Sequence, residues 1–313
     1  MKPNWYGKPY YSLDAYCKNT FQHKCYKIAL NAHMTCPNRD GTLGTRGCIF
    51  CSAGGSGDFA VSTLNRSIEE QLSEGISLLR GKNIGEHFIA YFQAFTNTYA
   101  PIPYLERVYR EALDCPSVCG ISIATRPDCL SDDVLLLLAT LQKEYCHKFI
   151  WIELGLQTIH ESTAAFIRRG YPLSCFEKAF ERLRTLQLPV IVHVILGLPG
   201  ETPEMALETI EYLNACKPFG LKLQLLHVLK GTDLAAYYRS GGFAALTKEE
   251  YLLLVTDCLN HLSPDIVIHR VTGDGPGELL IAPNWSLHKR DVLNSLHRWM
   301  KDTGSYQGRD YHP

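Results

Sequence analysis

Three of the twelve cysteines in this 313-residue chain stand in a spacing that could hold a metal. Cys36, Cys48 and Cys51 form C-x11-C-x2-C, within the segment Cys36-Pro-Asn-Arg-Asp-Gly-Thr-Leu-Gly-Thr-Arg-Gly-Cys48-Ile-Phe-Cys51. A structural zinc site is closed by four protein ligands, and His33 could complete a Cys3His set here. Three thiolates on a four-iron cluster instead leave one iron without a protein ligand, open to a substrate or cofactor. Seven other cysteines, from Cys115 to Cys258, are scattered among apolar stretches and read as core residues. Cys17 and Cys25 share no tight spacing with the triplet, and whether they serve a second metal site stays open at the level of sequence.

The elements that must position these thiols follow from periodicity. Strands are predicted at Lys24–Asn31, Phe88–Phe95, Gly120–Thr125, Phe149–Gln157, Val190–Gly197 and Leu221–Leu229, with a seventh at Ile266–Val271. Helical patterns lie between them, around 66–80, 103–114, 131–144, 160–169, 174–187, 203–215 and 247–261. Ser131 before Asp132-Asp133, and Thr202 before Pro203, read as helix N-caps. Repeated strand–helix order calls for a parallel sheet with right-handed crossovers. A full eight-stranded barrel takes typically ~250 residues, and with six or seven strands the expectation is an α/β fold with an incomplete parallel barrel of the (β/α)6 type. An open doubly wound sheet is the alternative. The core is expected over 24–275, with a basic aromatic extension at 1–23 and a helical one at 276–313. The cysteine segment follows the first strand, at the C-terminal mouth where such barrels build active sites.

Strand parity marks a polar interior. Glu153, Gly155 and Gln157 share one face of their strand, opposite Ile152, Leu154 and Leu156, while His193 and Gly197 oppose Val192, Val194 and Leu196. Buried carboxylate, amide and imidazole groups need partners. A bound nucleoside would supply them; satisfied core hydrogen bonds would serve equally for Gln157 and His193.

Composition excludes several classes. The chain is 46% hydrophobic and 20% charged, which argues against disorder and low complexity. Apolar runs such as Val134–Leu138 fall far short of the ~18 residues of a membrane span, and the first residues carry no hydrophobic signal core. A cytoplasmic location and no membrane partner are expected. Net charge is −1, yet residues 1–46 carry +5 and the remainder −6. Trp5, Tyr6, Tyr10, Tyr11, Tyr16, Phe21 and Tyr26 interleave with those bases, as where phosphates and stacked bases are handled. The same residues suit a segment that packs its aromatics on the main domain.

Taken together, the segments resemble the radical S-adenosylmethionine (SAM) superfamily, whose usual C-x3-C-x2-C loop is lengthened in some branches. Phe92-Gln-Ala-Phe-Thr-Asn-Thr-Tyr99, Glu153-Leu-Gly-Leu-Gln157, Arg168-Arg169 and His193-Val-Ile-Leu-Gly-Leu-Pro-Gly-Glu-Thr202 follow in the order and spacing of the Elongator catalytic subunit and the oxygen-independent coproporphyrinogen oxidases. Cys36-Pro-Asn-Arg-Asp-Gly41, Gly57-Asp-Phe-Ala60 and His269-Arg-Val271 are similar to stand-alone bacterial proteins related to the Elongator subunit, a YhcC/YtqA-like group. The resemblance implies that Cys36, Cys48 and Cys51 hold a [4Fe–4S] cluster. It also implies that SAM is cleaved reductively to a 5′-deoxyadenosyl radical, with an electron from a flavodoxin or ferredoxin-type donor. By the same resemblance Gln157 and His193 contact the ribose, Arg169 pairs with the methionine carboxylate, and Thr96, Asn97 and Thr98 receive its amine. Glu153 and Gly197 complete the cofactor-binding set, the Gly197-Leu-Pro-Gly200 turn approaching the adenine, and Gly54-Gly55-Ser56-Gly57 gives clearance around the cluster. The substrate implied is transfer RNA (tRNA), at the 5-substituent of the wobble uridine, with carboxymethylaminomethyl converted toward aminomethyl and residues 1–46 helping to dock the RNA. A porphyrin-like or other small acidic substrate is the alternative within the superfamily. A zinc-stabilised RNA-binding module without catalysis is the alternative outside it.

Overall fold

The computed structural model describes residues 3–55, 66–80, 85–273 and 275–312. Seven strands, β1 (Tyr26–Leu30), β2 (Phe88–Phe92), β3 (Val118–Thr125), β4 (Phe149–Gln157), β5 (Val190–Leu196), β6 (Gly220–Leu225) and β8 (Val267–Arg270), lie side by side in that order, every pair parallel. The sheet curls into a half-barrel with helices outside. The stretch expected as one strand over Leu221–Leu229 breaks at Leu226-His227, and β7 (Val228–Leu229) pairs antiparallel with β9 (Leu280–Ala282) instead.

Helices α2 (Ile68–Arg80), α3 (Ile102–Asp114), α4 (Asp132–Glu144), α5 (Glu161–Phe166), α6 (Leu173–Thr185), α7 (Pro203–Cys216) and α9 (Lys248–His261) follow the expected amphipathic stretches. Ser131 and Thr202 cap α4 and α7 through Val134 N and Met205 N. The apolar parity face of the strands meets these helices. Ile152, Leu154 and Leu156 of β4 and Val192, Val194 and Leu196 of β5 belong to one continuous core with Leu138, Phe176 and Ile210. The interior is left to the polar face.

The N-terminal segment corrects the expectation of an RNA arm near the cysteines. Tyr11 O accepts from Ile268 N and Ser12 bridges Ile268, so the chain begins beside β8 and then runs as α1 (Leu13–Phe21) beneath the sheet. Tyr16 packs edge-on against Trp151 and Phe219, and Phe21 stacks on Phe149. Those partners stand at the starts of β4 and β6, whereas the cysteine segment follows the end of β1. The aromatics therefore plug the N-terminal end of the half-barrel, opposite the cysteine mouth. The bases are also engaged: Lys8, Lys18 and Lys24 surround Asp14, and Lys27 enters the interior. Gln307 ties the two chain ends together, accepting from Tyr11 N and donating to Ser263 O and Ile266 O. The last long helix, α10 (Lys289–Asp302), packs on α9.

Trp151, 1% exposed, fills the middle of this plug. Trp151→Ala is expected to cost about 3–5 kcal/mol, read as a lowered urea midpoint. A loss under about 1 kcal/mol would show that the plug carries no stability.

Candidate active site

The loop between β1 and α2 carries the three cysteines and is pinned from both sides. Asn38 donates to Arg168 O at 2.8 Å and lies 3.5 Å from Cys48 Sγ. Ile49 N donates to Ile167 O and Ile49 O accepts from Leu234 N, the latter in α8 (Asp233–Arg239). Arg39 donates to Cys51 O and Ser52 O, at 2.9 and 2.5 Å. Gly170, at φ +86°, permits this approach, because a Cβ there would meet Asn38 Oδ1 at 2.6 Å. All three cysteines line one cavity of about 250 Å³ at the C-terminal ends of the strands, several times the ~30 Å³ that one water occupies.

The thiols are gathered but not as a mononuclear site would gather them. Around a tetrahedral zinc at about 2.3 Å, sulfurs sit about 3.8 Å apart, whereas these three do not all fall within 4.8 Å of one another, with or without His33. His33 is exposed in a left-handed turn. A polynuclear cluster attaches each thiolate to a different iron and spreads its ligands wider. Burial, together with the neighbouring Cys51, pushes the Cys48 thiol up to about 12.

Below the thiols lies a charged floor. Glu153 of β4, fully buried, accepts from Lys27 Nζ (2.5 Å) and Ser122 Oγ (2.6 Å) at Oε1, and from Lys222 Nζ at Oε2, where His193 Nε2 also lies at 2.7 Å. Burial alone would raise this carboxyl, but Lys222, Lys27 and His193 outweigh it and hold it well below the usual range. His193 is pushed down to about 4 by burial and by Lys222. Its ring is neutral at pH 7, with the proton on Nε2 facing the carboxylate and Nδ1 left as an acceptor. Lys222 also donates to Tyr91 OH at 3.0 Å.

Where β4 meets β5 the register shifts, Gly155 pairing with His193 and Gln157 with Val194. This irregularity re-aims the strand end, and Gln157 takes φ +68°. Its buried Oε1 has no hydrogen-bond partner while its residue lines the cavity, which is what a ligand-facing amide should show. Thr96 lines the same cavity, as do Glu153, Gln157 and His193.

Of the remaining sequence candidates, Arg169 also lines the cavity, whereas Asn97, Thr98 and Gly197 do not. Asn97 Nδ2 donates to Phe92 O and Ala124 O while its buried Oδ1 has no hydrogen-bond partner, and Thr98 Oγ1 bonds Thr125 Oγ1 and Cys129 O, so both staple the end of β2 to β3. A Cβ at Gly197 would meet Leu246 at 2.9 Å, so this glycine answers to packing against Leu246. Arg169 was expected to pair with a carboxylate. Its guanidinium donates to Tyr171 O, Leu156 O and Thr158 O and faces Glu161, which braces the turn after α5 at the cavity wall. Of the glycine loop, Gly55 lines the cavity; Ser56, Gly57 and the Gly57–Ala60 stretch lie outside the described residues. The arginine that sequence reasoning missed is Arg126, just past β3. Its Nη1 lies 3.9 Å from Cys36 Sγ, Asp128 holds it from below, and it stacks on Tyr171. Its signal was a charged residue at a strand's C-terminal end, the place where barrel chemistry gathers.

Comparison with known proteins agrees with this geometry. The Radical SAM superfamily matches residues 41–213, and its C-terminal domain family matches 218–302. The chain belongs to the radical SAM superfamily. It is 42% identical to YtqA of Bacillus subtilis, over 96% of this chain and 92% of that protein. It is 34% identical to YhcC of Escherichia coli, over 94% of each. The solved Elp3 of Methanocaldococcus infernus, lacking residues 1–46, shares the fold with a TM-score of 0.68 at 16% identity, over 90% of this chain and 64% of that one. This protein is accordingly an enzyme whose cofactors are a [4Fe–4S] cluster and SAM. Among the described residues no helix is long and apolar enough to cross a membrane.

Two outcomes are expected. Replacing Cys36, Cys48 or Cys51 by Ala removes the iron and sulfide retained on anaerobic purification, whereas Cys216→Ala, at the end of α7, leaves both; full iron loading in Cys48→Ala would remove that residue from the ligand set. Because unfolded His193 takes up a proton near its ordinary 6.5 and the folded ring only near 4, stability rises with pH between those values. The loss on acidification is at most about 3–4 kcal/mol. His193→Gln flattens this part of the urea-midpoint profile, and an unchanged slope would contradict the assignment.

Proposed function

We propose that this radical SAM enzyme modifies a tRNA, acting on the 5-substituent of the wobble uridine and carrying carboxymethylaminomethyl toward aminomethyl. The observation that carries the reading is the charge of the cavity. Glu153 is the one carboxylate among the described residues lining it, and it is neutralised from below, while Arg39, Arg126 and Arg270 line the same space. Such a lining draws an anionic substrate. The resemblance to stand-alone relatives of the Elongator subunit narrows that anion to RNA, and the likeness to Elp3 supports a common scaffold.

When bound, the cluster and SAM would supply radical chemistry for abstracting a hydrogen atom from the substrate. This chain's residues do the placing. Cys36, Cys48 and Cys51 hold the cluster, Arg126 lies beside Cys36, and Thr96, Gln157 and neutral His193 offer hydrogen bonds to a nucleoside. Glu153 keeps His193 in one tautomer. The apolar wall from Ile167 and Ile195 excludes water from the reacting centre. A flavodoxin or ferredoxin-type protein delivers the electron.

The plugged N-terminal segment favours a second reading, a small acidic substrate that needs no RNA arm. Nucleoside analysis separates the two. A strain lacking the gene is expected to accumulate the unprocessed wobble nucleoside, cleared by wild type and not by Cys51→Ala. Identical profiles with and without the gene, in an organism containing the modification, would reject the RNA reading and leave the small acid.

A further inference from the structure

At the end of the sheet opposite the cavity, four side chains of metal-ligating type converge from the starts of three neighbouring strands. His23 and Cys25 precede β1, His87 precedes β2, and Cys119 is the second residue of β3. The ligating atoms of His23, His87 and Cys119 all lie within 4.8 Å of one another, the one such group of three among the described residues. Cys25 Sγ is 3.7 Å from His23 Nδ1, and its thiol contacts that of Cys119. The two imidazoles are stacked, ring centroids 3.3 Å apart and planes 11° from parallel; because an imidazole binds a metal in its own plane, one ring must turn out of the stack for both to reach a single ion. Cys119 falls at a register shift, between Phe88↔Val118 and Ile89↔Gly120. Such irregularities re-aim side chains.

We propose that His23, His87 and Cys119 hold a zinc ion and that Cys25, whose thiol lies outside that 4.8 Å group but 3.7 Å from His23 Nδ1, turns in on binding to close a tetrahedral site. Two thiols give up their protons to solvent on binding, and the two thiolates then balance the dication while the imidazoles bind neutral. The same ligand types could hold a two-iron cluster, but there the histidines and cysteines attach to different irons. Here both histidines and Cys119 share a space small enough for one ion. Zinc has no redox chemistry, so it would not drain electrons from the cluster at the far end. Its place suggests its work. β1 is an edge strand, five residues long, about 16 Å at 3.3 Å each, and its other end leads to Cys36. Clamping the start of β1 to β2 and β3 fixes the strand that delivers the cluster loop. Spacing alone could not reveal this site, because its ligands come from three segments spread over nearly a hundred residues.

The test is metal counting on full-length protein purified anaerobically, beside a variant with Cys36, Cys48 and Cys51 all changed to Ala. One zinc per chain is expected in both. His87→Ala, at an exposed position, and Cys119→Ser are expected to weaken zinc retention against a chelator at least tenfold, with iron content kept. Cobalt loaded in place of zinc should give intense visible bands of a tetrahedral site and a thiolate charge-transfer band that Cys25→Ser diminishes. The cobalt spectrum of the unaltered site decides the matter even if a substituted protein does not fold. Zinc retention indifferent to these variants, a Cys25–Cys119 disulfide in the anaerobic protein, an octahedral cobalt spectrum, or iron in the triple variant would each overturn the proposal.

Discussion

A carboxylate with no exposure to water sits at the middle of the sheet, and the interior is arranged around its charge. Glu153 on β4 draws Lys27 from β1, Ser122 from β3, His193 from β5 and Lys222 from β6. One side chain thus links five of the seven parallel strands. Burying these charges is expensive, and replacing such a group with apolar residues is often neutral or stabilising elsewhere. What the network provides here is position. It sets the curvature side of the sheet as polar, fixes His193 as a neutral ring with a defined tautomer, and gives the cavity a floor whose negative charge is already neutralised.

The cysteine loop depends on that floor in turn. β1 brings Lys27 to Glu153 and, a few residues on, releases the chain into the loop that holds Cys36, Cys48 and Cys51. Arg39 and Asn38 then fasten the loop to itself and to the turn after α5. The register shift at Gly155–Gln157 turns the end of β4 into the cavity, where an amide oxygen is left unsatisfied. Floor, loop and strand end face one volume, with arginines around them.

Much of this was legible in sequence, for a physical reason. The polar side chains of β4, Glu153 and Gln157, fall on one face and His193 is the one polar residue of β5, so parity placed Glu153 and Gln157 in the interior and Ile152, Leu154 and Leu156 against the helices. The nine residues of β4 match at both ends. Side-chain direction past a strand end is not periodic, and there parity gives no guide. Asn97, Thr98 and Arg169 lie in turns whose backbone carbonyls consume their donors, while Arg126, which had no motif, reaches the cysteines. The interleaved aromatics of the first 26 residues fitted RNA and core packing equally, and only the path of α1 beneath the sheet separates them. The lysine partners of Glu153 come from strands 126 and 69 residues away, a pairing no local pattern encodes.

The most direct test of this account is release of 5′-deoxyadenosine when iron-loaded protein is reduced with dithionite in the presence of SAM. Wild type is expected to form it, and Gln157→Ala to form at least tenfold less with its iron content unchanged. Iron-loaded wild type that forms none, or a Gln157→Ala protein that forms as much as wild type, would contradict the account.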